Sequence, residues 1–167
     1  MDKQSLFFTV LVGIISLILA LGLLQIFINK KIKNDLNTRT WAFLMWQLSW
    51  IIPFFIFLKI ALLITENTIE TVIYSNTIQN TFFYSVSKIL LYIGFTFLYT
   101  VFVNKTIDLL DKFFFSKSDM LIELENNNTI YFALKLILVI GFTLSISTVF
   151  EHFLNWFVPS IETPFYH

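Results

Sequence analysis

Four long apolar runs separated by polar segments organise this chain: Ser5 to Ile28, Trp41 to Ile64, Phe82 to Val103 and Thr129 to Val158. Each exceeds the roughly 20 residues that a helix rising ~1.5 Å per residue needs to cross a hydrocarbon core about 30 Å thick. In lipid every backbone N–H and C=O must be bonded within its own segment, and an open sheet would expose its edges. Runs of this length therefore predict spanning helices. The expected fold is all-α, a polytopic membrane protein with four transmembrane helices in a single membrane domain over residues 1–167. The opening run is too long for the h-region of a cleavable signal and no Ala-x-Ala-like site follows it, so it reads as a retained first helix.

The polar segments between the runs are unequal in charge. Lys30, Lys31, Lys33 and Arg39 lie between the first two helices, Lys105, Lys112 and Lys117 between the third and fourth, and only Lys3 falls on the other side outside the spans. The positive-inside rule then places the loops 29–40 and 104–128 in the cytoplasm and both termini outside a plasma (inner) membrane. The acids Asp108, Asp111, Asp119, Glu123 and Glu125 carry little topological weight. On the outer side, Thr65 to Gln79 reads as an ordinary connector, although Ile69, Val72 and Ile73 would also suit a segment lying along the surface. The loop 104–128 is longer than a usual connection. Within it Ile107, Leu110 and Phe114 recur at helical spacing with Asp108, Asp111 and Lys112 on other faces, which predicts a third helix running past the membrane surface.

Ionisable groups inside the spans are the sharpest candidates for function, because a charge in hydrocarbon is costly unless paired or wetted. Lys59, Lys88 and Glu151 fall at similar depth, roughly 8–10 Å below the outer boundary at ~1.5 Å per residue. Glu151 is expected to face the interior and approach one of the two lysines, with His152 beside it. Ser85, Lys88, Tyr92, Thr96 and Tyr99 mark one stripe on the third helix, and Ser145, Thr148, His152 and Asn155 another on the fourth. Facing each other, the stripes would form a hydrogen-bonded interface or a narrow hydrated path for ions or protons. Lys135 reads as a lysine that snorkels to the headgroups.

Other chemistry finds little support. Glu151 and His152 are adjacent and point about 100° apart on a helix, so they cannot ligate one metal together. There is no cysteine, no P-loop, no dinucleotide-binding glycine pattern and no nucleophile elbow, and only four glycines are present to build one. No catalytic residue, metal or cofactor is expected. Pro53 falls mid-way along the second helix and would kink or open it near Ser49. Gly13, Ser16 and Ala20 form a small-residue strip on the first helix, suited to the third helix or to a second protomer. The four tryptophans suit the water interface. Composition agrees, at 57% hydrophobic and 13% charged residues, against about 25% charged in soluble domains. The formal net charge of zero gives no field to attract nucleic acid. The expected partners are the lipid bilayer and either further copies of the chain or other membrane subunits.

A weak duplication relates the two halves. Phe27-Ile28-Asn29-Lys30 corresponds to Phe102-Val103-Asn104-Lys105, and Asn37-Thr38 with Ala42 to Asn128-Thr129 with Ala133. Repeat one spans about 5–64 and repeat two about 82–158, giving two parallel helical-hairpin repeats. The Asn-Thr pairs suit capping of the unpaired N–H groups of a helix's first turn. At these residues the chain resembles the YjfL-like small integral membrane proteins, a family catalogued as a domain of unknown function. Its members carry a two-helix unit whose second helix opens on an Asn-Thr or Asn-Ala motif. This chain departs from the family in having Trp41, Phe43, Trp46, Tyr131 and Phe132 where small residues predominate. The resemblance implies a fold and a membrane location, and no catalytic residue. The expected role is a non-enzymatic subunit or accessory component of a membrane assembly. The alternative is a small transporter or ion or proton channel.

Overall fold

The computed structural model describes residues 7, 10–16, 18–19, 21–23, 26, 40–74, 80–114 and 120–159. Every regular element among them is a helix: α1 (Trp41–Tyr74), α2 (Thr81–Phe114), the short α3 (Met120–Glu125) and α4 (Thr129–Asn155). Three of these, α1, α2 and α4, are long and apolar enough to cross a membrane. Their outer faces carry large apolar side chains such as Phe55, Leu63, Leu90, Leu98, Ile137 and Leu144, as a lipid-facing surface requires. The expected first span lies partly outside the described residues, as does the loop 29–40. Those of its residues that are described are helical. Val12 packs with Ile69 of α1 and Ile89 of α2, and a Cβ added at Gly13 would sit 3.5 Å from Leu62. With Ser16 also buried, the described part of the small-residue strip is covered within the chain. Ala20 falls outside the described residues.

Two boundaries differ from the sequence reading. Each of α1 and α2 has 34 residues, about 51 Å at ~1.5 Å per residue, well beyond the hydrocarbon thickness. The part of α1 expected to be a connector after Ile64 is helical to Tyr74, because Thr65, Thr68, Ile69 and Val72 repeat at helical spacing and bury one face. The supposed loop 104–128 is largely helix as well. Residues 104–114 complete α2, as the spacing of Ile107 and its neighbours predicts, and 120–125 form α3. Pro53 leaves α1 unbroken, while the Ser49 hydroxyl donates to the Trp46 carbonyl at 2.7 Å.

α1 is the central helix, packed against both α4 and α2, which touch each other less. Its start and the start of α4 meet the end of α2, so α1 and α4 run in one direction and α2 returns. Aromatic rings knit the three together. Phe57 of α1, Tyr99 of α2 and Phe150 of α4 form a triangle with centroid separations of 4.6 to 5.7 Å, within the favourable range for tilted and edge-on pairs. Phe95 and Phe153 extend it at 4.7 Å. A second core unites Ala42, Phe43 and Trp46 with Leu124 and Phe132. Trp46 is thus a core residue, only 2% exposed, whereas Trp41 and Trp156 project at opposite ends of the bundle. Phe43, Trp46 and Phe132 fill the space between the starts of α1 and α4.

Candidate functional site

The end of the bundle where α1 and α4 begin and α2 stops holds the buried charged side chains of the described residues, Asp111 and Lys135. Asp108 and Asp111, one turn apart on α2, turn toward α4. Tyr131 and Lys135, one turn apart on α4, turn toward α2. The Lys135 ammonium donates to Asp108 Oδ1 at 2.5 Å and lies 3.4 Å from Asp111 Oδ2. The Tyr131 hydroxyl donates to the same Asp111 oxygen at 3.1 Å. The Lys135 side chain is 4% exposed, Asp111 7% and Asp108 27%. This overturns the reading of Lys135 as a snorkelling anchor. Its stem runs inward because two carboxylates lie level with it across an antiparallel pair of helices. It also corrects the helical wheel of α2, in which the acids were placed away from Ile107. Ile107 and Asp111 are both buried.

The turn after α3 serves three helices at once. Asn127 adopts a left-handed conformation with φ of 48°, accessible to Asn at low cost. Backbone bonds from Asn127 N–H to Leu124 and from Asn128 N–H to Glu123 close the end of α3 in the Schellman manner. The Asn127 side-chain oxygen accepts from the Ala42 N–H at 3.3 Å, capping α1 from 85 residues away. Thr40 assists by accepting from the Phe43 N–H. Asn128 caps α4 by accepting from the Tyr131 N–H and donates to the Glu123 carboxylate at 2.7 Å. Thr129 donates to the Asn127 carbonyl. Asn37 and Thr38 lie outside the described residues.

A polar ladder climbs α2 from this node at every fourth residue. Asn104 donates to the Thr100 carbonyl, Thr100 to that of Thr96 and Thr96 to that of Tyr92. The Tyr92 hydroxyl meets the Thr68 hydroxyl of α1 at 2.9 Å. Among the described residues Asn104 Oδ1 is buried without a hydrogen-bond partner. Tyr92 and Thr96 of the expected stripe lie on this ladder, whereas Tyr99 joins the aromatic triangle. The ladder's fourfold spacing was visible as Tyr92, Thr96, Thr100, Asn104 and Asp108.

The intramembrane candidates are not gathered in this way. Lys59 and His152 are exposed, and Glu151 and Lys88 are half-buried. Among the described residues Glu151 forms no ion pair, with Lys59 or Lys88 or otherwise. The Lys88 ammonium instead lies over the rings of Tyr84, 5.2 Å from its centroid, and Phe157, 6.0 Å away, within reach of cation–π attraction. The two stripes do not face each other. Tyr92 and Thr96 point inward, whereas Ser145, Thr148, His152 and Asn155 point outward.

Fold and node together define an all-helical protein with three helices long and apolar enough to cross a membrane and, at one end of the bundle, an ammonium held between two carboxylates. No protein-family model, curated protein or solved structure matches the chain.

Proposed function

We propose that this chain is a small multi-pass, non-enzymatic accessory subunit of a plasma-membrane assembly. It has four transmembrane helices in two parallel hairpins of the YjfL-like type, with both termini outside and the charged node on the cytoplasmic side. One observation carries the accessory role: among the described residues most interior polar groups bond within the bundle and aromatic rings occupy its middle. The ladder hydroxyls donate to carbonyls of their own helix, Lys135 is held by two carboxylates, and the Phe57–Tyr99–Phe150 triangle fills the middle of the bundle. Such bonding serves helix packing. Purification from native membranes in mild detergent is expected to bring other subunits in fixed stoichiometry.

A second reading, ion or proton conduction, has its own support in the Asn104 oxygen, unpartnered among the described residues, and in the excess of two carboxylates over one ammonium at the node. Intramembrane charge of this kind often marks an ion path. Vesicles containing the purified chain alone decide between the two. A proton or cation flux lost in Asp108→Asn would overturn the accessory role, and impermeable vesicles support it.

A further inference from the structure

The outward side of α4 carries a pattern that the lipid does not explain. Gly141, Ser145, Thr148, His152 and Asn155 follow one another at intervals of four, three, four and three residues, so they share one helix face, and all five are exposed. Toward the start of α4 the same face continues with exposed Ile130, Leu134 and Ile137. Ser145 returns its proton to the Gly141 carbonyl. Among the described residues Thr148, His152 and Asn155 make no side-chain hydrogen bond. A hydroxyl, an imidazole and an amide turned outward along a span lack partners there that a second helix would supply.

We propose that this face of α4 is the interface between two copies of the chain. Copies inserted in the same orientation are related by a two-fold axis along the membrane normal, so α4 meets α4 in parallel and residues near the axis meet their own counterparts. Such a seam needs side chains that pair with themselves. Ser, Thr, Asn and an uncharged His each both donate and accept, and Gly lets two backbones approach closely. A Lys or Glu on the seam would meet its own charge, and these five positions contain none. A foreign helix imposes no such rule on composition. The neighbouring Glu151 lies off this face, half-buried. The inference is independent of whether the chain is accessory or conducting.

The absence of cysteine from the sequence makes the test direct. In lipid bilayers, oxidation of Ser145→Cys is expected to give a disulfide dimer of twice the 19.7 kDa chain. Leu98→Cys, exposed at comparable depth on α2, is expected to give none. A Cβ at Gly141 would meet nothing within 4 Å, so Gly141→Leu leaves the single bundle its fold. Added to Ser145→Cys, it is expected to cut the dimer yield at least tenfold with an unchanged melting temperature. Equal yields at positions 145 and 98, or a dimer indifferent to Gly141→Leu, would overturn the proposal. So would a photo-crosslinker at position 145 in native membranes that captures another protein and no second copy.

Discussion

Lys135 shows how placement decides the meaning of a charge. Alone near a helix start it would bend toward water; level with Asp108 and Asp111 it becomes the centre of a buried clasp. Replacing it with Met leaves Asp111 without its cation, and breaking a buried pair of this kind costs about 3–5 kcal/mol. Lys135→Met is expected to lower the unfolding free energy by that order in detergent melts. Lys135→Met with Asp111→Asn should recover part of the loss, since only the more exposed Asp108 then keeps its charge. Asp108, the more exposed partner, should cost less to neutralise. Glu151→Gln tests the converse: with no ion pair to break, it is expected to change stability by no more than about 0.5 kcal/mol. Asp108, Asp111 and Lys135 also lie level with one another, toward the opposite end of α2 and α4 from Lys88 and Glu151. Similar depth alone could not say which residues face inward, and the spacing of Ile107, Leu110 and Phe114 assigned the acids to other faces of the helix. The residues Leu109 and Phe113, though apolar, are outward.

At the scale of elements, the short polar run 126–128 is worth more than its length implies. Asn128→Ala removes the α4 cap and strips Glu123 of its donor, with an expected loss near 1 kcal/mol. Asn127 combines a cap for α1 with a left-handed backbone, and two substitutions separate these roles. Asn127→Gly keeps the backbone at ease and loses only the side-chain bond, whereas Asn127→Ala loses both. Ala is therefore expected to be the more destabilising in the same melts, and the reverse order would deny the backbone's share. Asn128 was legible as a cap from its position before an apolar run. Asn127 was not, because its partner is at the far end of the chain segment that folds between them. Helix lengths were also under-read: hydropathy reports where the lipid is, and Thr65, Thr68 and Asn104 continue a helix with polar residues by burying them against other helices.

For the whole molecule, the apolar runs made the helical membrane class legible, and α1, α2 and α4 stand where three of the four were expected. Their order of contact was not legible. The halves of the duplication invited a pairing of α2 with α4, yet α1 stands between them as the more extensive partner of both, because its buried Phe57 and Trp46 supply the rings that the others pack on. The proposed orientation is checked with single cysteines. Asn80→Cys is expected to react with an impermeant reagent on intact cells and Glu125→Cys only after permeabilisation, both positions being exposed. The reverse pattern would invert the topology. The cap on α1 has one more consequence, in time rather than in space. Its donor and acceptor are 85 residues apart, so at synthesis rates of roughly 5–20 residues per second the start of α1 waits about 4–17 s for Asn127 to be made. Until then the helix is threaded but unfinished, and translation of the segment that opens α4 is what closes it.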